Sequence, residues 1–291
     1  LKYYYPVEYM AALMTSVIDK PTKVAEYIQV CRQMNIPILP PDINKGEYGF
    51  SVSGGSILYA LSAIKSVGRP VIEAIVAERK EHGEYLSVKN FIERNMEAVN
   101  KRAIENFIKA GALDCLEGNR HQKMVVFGQI VDDISRNKKQ SMAGQLSLFD
   151  IASEDEKKEF EIRMPNLEEY DKETVLSYEK EVLGIYLSGH PLDRYRNMME
   201  KMISARTIDF QPSDEDDREG GEPDESKVRD NQKVIIGGMI TEKNVKYTKT
   251  NKVMAFLTVE DLVGTVEVMV FPRDYEKWQN MINEDARVFI Q

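Results

Sequence analysis

Apolar residues recur at helical spacing in two stretches near the start of the chain and in several shorter stretches further along. Residues 7–18 and 22–34 predict two packed helices, and Pro21 suits the first turn of the second one. Glycines separate the shorter stretches, and glycine is common just beyond the C-terminal end of a helix. These stretches predict helices at 70–81, 87–95, 100–110, 120–136 and 171–183.

Strand-like runs occur in two regions. Residues 48–52 and 57–59 flank Ser-Gly-Gly-Ser at 53–56, and glycine supplies the positive φ that a tight hairpin turn needs. The proline-rich residues 35–41 predict a rigid extended connector. Beyond residue 231, strand-like runs surround a helical stretch at 273–283 and predict a small β-barrel that is cut off early. Those runs lie at 233–243, 252–260, 264–270 and 287–291.

A length of 291 residues favours two or three modules, so the predicted fold class is multidomain and mostly α-helical with a C-terminal β-barrel. The formal net charge is −9, but residues 214–230 hold nine acids against three basic residues. Residues 60–140 reverse the balance, with fourteen Lys and Arg against eleven acids. Overall acidity therefore does not exclude a nucleic-acid partner. Residues 211–230 are nearly free of apolar side chains and are predicted to be a flexible linker.

Several kinds of protein and site are excluded or disfavoured. No apolar run approaches the ~18 residues of a membrane span, and the start at Leu1, without Met or a leader, indicates an excised fragment of a cytoplasmic protein. Cys31 and Cys115 lack partners at redox or metal-ligand spacing, so both are predicted to be core residues. No catalytic residue and no metal ligand is predicted. The histidines, which have no metal-ligand spacing, are His82, His121 and His190.

Residues 61–79 resemble a helix-hairpin-helix, a motif whose turn packs an apolar residue inward and brings backbone N–H groups to a phosphate. Val67 is the predicted inward residue and Gly68 permits the close approach of the backbone. Ser66 stands where the motif usually has its first glycine. The predicted duplex contacts of this turn are Lys65, Ser66, Val67, Gly68 and Arg69.

A second, more degenerate copy is predicted within residues 101–129, with Lys109 and Gly111 as its duplex contacts. Paired hairpins of this kind bind the duplex backbone without reading its sequence. The alternative is that Gly68 and Gly111 only end helices, since glycine is common at that position.

Residues 145–149, Gln-Leu-Ser-Leu-Phe, match the short peptide with which bacterial proteins dock on the sliding clamp. Leu148 and Phe149 would fill an apolar pocket, and Gln145 would set the register through hydrogen bonds. Exposed apolar residues within a polar stretch are typical of a partner site. The alternative is a loop that tucks Leu148 and Phe149 onto its own domain. The predicted clamp-binding residues are Gln145, Leu146, Ser147, Leu148 and Phe149.

Residues 233–272 resemble an OB-fold nucleic-acid domain. Cations beside aromatic rings suit single strands, because cations follow the phosphates and aromatic faces stack on bases. Phe256 and Phe271 are predicted to belong to the barrel core. The predicted single-strand contacts are Lys246, Tyr247, Lys249 and Lys252.

The order of these motifs resembles the bacterial DNA polymerase III alpha subunit over essentially the whole chain. The residues that carry the resemblance are 5–13, 39–44, the first hairpin, 110–114, the clamp peptide, 188–192 and the OB strands. The resemblance implies the end of a fingers domain at 1–55 and a clamp-binding domain with tandem helix-hairpin-helix units at 56–210. It also implies an acidic linker at 211–230 and an incomplete OB-fold domain at 231–291.

The resemblance further implies an activity and partners. The parent would be a DNA-directed DNA polymerase whose Mg²⁺-binding palm carboxylates lie upstream, so the fragment itself is expected to be inactive and to hold no cofactor. Asp132, Asp133 and residues 214–217 are interpreted as solvated charge. The implied partners are double- and single-stranded DNA, the β sliding clamp and other replicase subunits, with no membrane.

The expected role is to grip the duplex, to tether the enzyme to the clamp and to contact single-stranded template. The alternative is a freestanding helix-hairpin-helix and OB-fold protein of DNA repair, or a scaffold. A DNA ligase of that kind would need an adenylation lysine motif or zinc cysteines, and the sequence has neither.

Overall fold

The computed structural model describes residues 3–142, 163–210 and 227–291, which divide into two compact units between Gly189 and His190. Helices dominate the first unit and an antiparallel sheet dominates the second, so the predicted fold class is confirmed. Helices α1 to α7 of the first unit are Pro6–Ser16, Pro21–Gln33, Arg69–His82, Val88–Asn95, Lys101–Ala110, Arg120–Met142 and Lys172–Leu183.

Local signals set the ends of several helices. The side chains of Ser87, Asn100 and Asp171 accept backbone N–H groups in the first turns of α4, α5 and α7. Gly111 and Gly184 end α5 and α7 with φ values of 80° and 79°, a conformation that glycine adopts without steric cost. The predicted helices are therefore found close to their predicted positions.

A small three-stranded sheet lies between α2 and α3. Strands β2 (Ser51–Ser53) and β3 (Ser56–Leu58) form the predicted hairpin, with Gly54 and Gly55 at φ values of 57° and 78°. Strand β1 (Ile38–Leu39) pairs with β3 in parallel. Part of the segment 35–41, predicted as an extended connector, therefore forms an edge strand of this sheet.

The core of the first unit contains a chain of edge-to-face aromatic rings. Tyr85 lies 5.1 Å from Phe91, and Phe91 lies 5.9 Å from Phe107 between ring centroids. All three rings are buried, and the hydroxyl of Tyr85 donates to the carbonyl of Ile75 at 2.8 Å. Aromatic pairs in this geometry contribute about 0.5–1.5 kcal/mol beyond their buried area. The rings join α4 and α5 to the end of α3, and so fix the helices around the predicted hairpin.

The second unit is a four-stranded antiparallel sheet in the order β6-β5-β4-β7, accompanied by two short helices. Its core includes Ile240, Ala255, Leu257 and Val259. Successive residues of β5 alternate between this core and the opposite face, as the pleat requires. The elements are α8 (Arg196–Met202), β4 (Ile236–Tyr247), β5 (Val253–Glu260), β6 (Thr265–Val270), α9 (Pro272–Trp278) and β7 (Arg287–Ile290).

Two aromatic residues of this unit differ from expectation. Phe271 was expected in the core but is 58% exposed, because β6 ends at Val270 and Phe271 is the N-cap of α9. Phe256 is only partly buried, since it lies on the face of β5 opposite Ala255 and Leu257. The prediction that both rings fill the barrel core is therefore wrong. Phe271 is exposed, and Phe256 lies on the face of β5 that points away from the core.

The two cysteines differ in burial. Cys31 is buried in the core, as predicted, whereas Cys115 is exposed in the turn between α5 and α6. The prediction of a core position is wrong for Cys115. Its neighbours Leu113 and Leu116 supply the apolar contacts of that turn instead.

The predicted domain limits stay a prediction, and the compact units divide the chain at a different place. Residues 190–210, assigned above to a clamp-binding domain, lie in the same unit as the sheet. Ala205 belongs to its core, and Thr207 donates from its backbone N–H and from its hydroxyl to buried Asp261 at 2.8 and 2.7 Å. Most of the predicted linker, at residues 211–226, lies outside the described residues.

Within the described ranges, no helix combines the length and the apolar character that crossing a membrane requires.

Candidate nucleic-acid interface

The turn at residues 64–68 has the shape of a hairpin between a short 3₁₀ segment and α3. Ile64 and Val67 are buried, so the turn packs an apolar residue inward as predicted. Ser66 adopts φ 63°, the left-handed conformation that glycine would supply in this place. Ser66 therefore stands where the motif usually has glycine and adopts the left-handed backbone conformation that glycine adopts easily.

The same turn leaves backbone donors available. Among the described residues, the N–H groups of Ser66, Gly68 and Arg69 have no hydrogen-bond acceptor. A Cβ built on Gly68 would meet no atom closer than Cδ of Pro70, at 3.7 Å, so the backbone there is open. Unpaired N–H groups at a helix N-terminus attract anions, because the helix dipole adds to their partial charge.

Two cations flank these donors. Lys65 is exposed, and its ammonium has no partner among the side chains that the structure describes. Arg69 donates from Nε to Glu73 at 2.7 Å and lies 5.0 Å from the ring of Tyr48. The Arg69–Glu73 pair is more than half exposed on both sides, and such pairs contribute at most about 1 kcal/mol. Arg69 can therefore exchange Glu73 for a phosphate at small cost.

The residues predicted for the second hairpin have other partners. The ammonium of Lys109 lies 2.9 Å from carboxylate oxygens of both Glu105 and Glu181. Gly111 caps α5, and a Cβ there would lie 2.2 Å from Nη2 of Arg120. Gly111 thus ends a helix, as the alternative interpretation predicted. Gly68 instead precedes the first residue of α3. A duplex contact at Lys109 or Gly111 stays a prediction.

A second turn that shares two features of the first, a buried valine and an extended residue before a helix, lies between α4 and α5 at residues 96–100. Val99 is 7% exposed, the same value as Val67, and packs inward. Asn100 precedes α5 in the extended conformation that Gly68 adopts before α3. Lys101 then pairs with Asp132 at 2.6 Å, while Arg102 is exposed without a partner among the described side chains.

Sequence reasoning missed this second turn. A signal was present, because Val67-Gly68-Arg69 and Val99-Asn100-Lys101 share an apolar residue two positions before a cation. Glycine is the usual sequence signal of such a turn, and the second turn has none. Asn100 instead caps α5 with its side chain, which accepts the N–H of Ala103 at 2.9 Å.

Ser66 offers a direct test of this geometry. Replacing Ser66 with glycine should raise the free energy of unfolding by up to about 1 kcal/mol, since relief of the left-handed strain exceeds the added freedom of the unfolded chain. Replacing it with valine should lower that energy by more, because a β-branched residue tolerates positive φ poorly. Urea denaturation measures both, and Ser56→Gly in strand β3 should act in the opposite direction to Ser66→Gly.

The predicted single-strand contacts lie on and beside the β4–β5 hairpin. The ammonium of Lys246 lies 4.8 Å from the ring centroid of Phe256, which pairs across the sheet with Met269. Tyr247 is 73% exposed, but strand alternation places it on the face opposite Lys246. The surface that unites a cation with apolar side chains thus contains Lys246, Phe256 and Met269, and the last two were not predicted.

The turn after β4 holds the remaining predicted residues. Lys249 and Lys252 are exposed there, and the backbone N–H of Lys252 donates to the hydroxyl of Thr248 at 3.1 Å. The turn thus presents two cations beside Tyr247 at the tip of the hairpin. Their contact with a single strand stays a prediction.

Other predicted features are surface charge or fall outside the described ranges. Asp132 and Asp133 lie on α6 and pair with Lys101 and Arg136. No cluster of three or more histidine, cysteine or acidic side chains that could hold a metal occurs in the described part of the chain. Residues 145–149 and 214–217 lie outside the described residues.

The sequence also matches known families over these same regions. Residues 35–123 match a helix-hairpin-helix motif, and residues 234–291 match an OB-fold nucleic acid binding domain. Over 100% of its length the chain is 37% identical to the DNA polymerase III subunit alpha of Thermus aquaticus. The corresponding subunits of Chlamydia pneumoniae and Mycobacterium tuberculosis are each 34% identical over 99% and 100% of the chain.

The chain is similar to DNA polymerase III alpha subunits over essentially all of its length. The predicted resemblance is therefore confirmed, together with the helix-hairpin-helix region and the OB-type sheet. The chain spans 22–24% of the length of these three relatives. The first family match covers both turns, at 64–68 and at 96–100, and the second covers the β4–β5 hairpin.

Proposed function

We propose that this part of a DNA polymerase III alpha subunit grips DNA and binds the sliding clamp. The observation that carries the first half is the open turn at 64–68, where three unpaired N–H groups lie beside Lys65 and Arg69. This turn lies inside the segment that matches a helix-hairpin-helix motif. Phosphate is the ligand that this chemistry favours, because it accepts several hydrogen bonds and carries negative charge.

The proposed substrate of the first unit is the backbone of duplex DNA. Backbone N–H groups and cations contact phosphates without reading bases, so the grip would be independent of sequence. The second turn would take another phosphate, with Arg102 as its cation. A polymerase that moves along any template needs a hold of this kind.

The salt dependence of duplex binding tests this proposal. Replacing Lys65 and Arg69 with alanine should weaken duplex binding about tenfold or more at ~0.15 M salt. The slope of log affinity against log salt should fall by about 2, since each phosphate contact contributes ~0.9. Fluorescence anisotropy with a labelled duplex measures both quantities.

A matched control removes two other exposed cations, Lys20 immediately before α2 and Lys23 in its first turn. Lys23 pairs with Glu26 at 2.6 Å, much as Arg69 pairs with Glu73. This variant should keep the slope of the original chain. A flat salt response in the original chain, or equal losses in both variants, would refute the proposed grip.

The second unit is proposed to contact single-stranded template. Lys246 above Phe256, with Met269 beside it, offers a cation and an apolar platform for a stacked base. Tyr247, Lys249 and Lys252 would extend this contact at the tip of the hairpin. The match of residues 234–291 to a nucleic acid binding domain supports this assignment.

The proposed clamp contact is the peptide Gln145 to Phe149. Leu148 and Phe149 would enter an apolar pocket of the clamp, Gln145 would set the register, and Leu146 would add a lesser contact. A tether of this kind raises the effective concentration of the enzyme at the primer end, which makes synthesis processive.

The proposed activity of the parent protein is template-directed DNA synthesis in the bacterial cytoplasm, together with other replicase subunits. Such synthesis uses Mg²⁺ held by paired carboxylates. In this proposal that chemistry belongs to the palm of the parent protein, and we expect no synthesis from this chain alone. A freestanding repair protein or scaffold is the weaker alternative, because the match to alpha subunits runs through the whole chain.

A further inference from the structure

Both peptide groups of Lys65 are held by helices that lie far along the chain. Its backbone N–H donates to the carbonyl of Val182 at 2.9 Å, in the last turn of α7. Its carbonyl accepts Nδ2 of Asn106 on α5 at 2.7 Å. Asn106 is 7% exposed, so this bond is shielded from water. Lys65 is thus fixed from two sides, immediately before Ser66.

These bonds account for the unusual shape of the turn. Ser66 has φ 63°, which a serine holds only where its surroundings enforce it. The bond from Asn106 sets the orientation of the peptide plane between Lys65 and Ser66. The bond to Val182 uses a carbonyl in the last turn of a helix, where no partner exists within the helix itself. The next carbonyl, of Leu183, accepts the hydroxyl of Tyr59 at 3.0 Å.

We infer that Asn106 and the end of α7 are positioning elements for the phosphate-binding turn. They would hold the N–H groups of Ser66, Gly68 and Arg69 in the arrangement that a phosphate accepts. This inference rests on the proposed duplex grip. It adds that Asn106 and α7, which lie far along the chain, hold the turn in its binding conformation. A purely structural role for Asn106 is the competing explanation, and it predicts a loss of stability without a specific loss of DNA binding.

The first experiment replaces Asn106 with leucine, which has a similar shape and adds no charge. Tyr85→Phe is the control, because Tyr85 is also buried and its hydroxyl donates to a carbonyl at 2.8 Å, that of Ile75, away from both proposed phosphate-binding turns. Both variants should lose stability to urea. Only Asn106→Leu should lose about tenfold in duplex affinity and show faster amide hydrogen exchange at residues 65–69.

The possible results distinguish the proposed duplex grip from the proposed positioning role of Asn106. If the original chain binds duplex without salt dependence, the proposed grip fails. If Lys65→Ala with Arg69→Ala weakens binding but Asn106→Leu binds as well as the original chain, only the positioning inference fails. Equal losses of duplex affinity in Asn106→Leu and Tyr85→Phe would likewise overturn it, since stability alone would then explain the effect.

A pair of glycines keeps the inference testable if Asn106→Leu does not fold. Gly184 and Gly83 end α7 and α3 with φ values of 79° and 84°, and neither has an atom within 4 Å of an added Cβ. Alanine should cost more strain at Gly83, where ψ is −178°, than at Gly184, where ψ is 0°, so Gly83→Ala is the more severe change to the backbone. Gly184→Ala should weaken duplex binding severalfold through α7, whereas Gly83→Ala should leave it unchanged. Equal duplex affinity of the two variants would contradict the role of α7.

Discussion

Replacing Leu148 and Phe149 together with alanine should weaken binding to the cognate sliding clamp roughly 100-fold or more, because two buried anchor residues usually supply most of the energy of such a contact. Leu146→Ala should cost less, and Gln145→Ala should weaken binding by removing directional hydrogen bonds. Surface plasmon resonance on immobilised clamp measures each affinity. Duplex binding by the same variants should not change, since the proposed grip lies at the turns at 64–68 and 96–100.

The control removes an exposed leucine and an exposed phenylalanine elsewhere. Leu86 is 81% exposed and Phe271 is 58% exposed. The Leu86→Ala and Phe271→Ala pair takes away the same side chains as the clamp variant and should bind the clamp as the original chain does. Unchanged clamp binding after the loss of Leu148 and Phe149 would exclude this peptide as the contact.

Replacing Arg120 with methionine should lower the free energy of unfolding by about 3–5 kcal/mol, because it leaves a buried carboxylate without its cation. Arg120 donates to Asp114 at 2.8 Å and to Glu179 at 3.4 Å, and Glu179 is completely buried. Burial lowers the pKa of Arg120, but hydrogen bonding and charge from Asp114 and Glu179 outweigh it and raise the pKa, so the guanidinium stays charged. Urea denaturation gives the change in the free energy of unfolding.

Arg136→Met is the control for this prediction. Arg136 lies on the same helix and pairs with Asp133 at 3.5 Å, but its side chain is 67% exposed. Its removal should cost less than about 1 kcal/mol. Arg120→Met combined with Glu179→Gln should be more stable than Arg120→Met alone, since glutamine removes the buried charge and keeps an oxygen for the N–H groups of Leu187 and Ser188. Similar costs for Arg120→Met and Arg136→Met would show that the buried network contributes little.

Local features of the structure could be predicted from the sequence. The helices were found because their ends carry their own signals, such as the capping side chain of Asn100 and the glycine at 184. The hairpin at 53–56 was found because its turn needs two residues with positive φ, and two glycines stand there. Each of these signals acts over a few residues, and periodicity locates the element between them.

Contacts between distant residues could not be predicted in this way. The parallel pairing of β1 with β3 depends on the path of the chain between the two strands, which no local sequence pattern predicts. The turn at 96–100 was missed because its cap is an asparagine rather than a glycine. The register shift in β4 between Ile240 and Glu242 changes which side chains share a face beyond it, and no local pattern predicts such a shift.

The turn at 64–68 has a consequence for how the proposed grip responds to mutation. Its donors at Ser66, Gly68 and Arg69 belong to the main chain, so most side-chain replacements leave them in place. Random mutation would therefore weaken the grip mainly through the cations or through Asn106 and α7. An ester in place of one of these amides, introduced by chemical synthesis, would remove a single donor and leave every side chain intact.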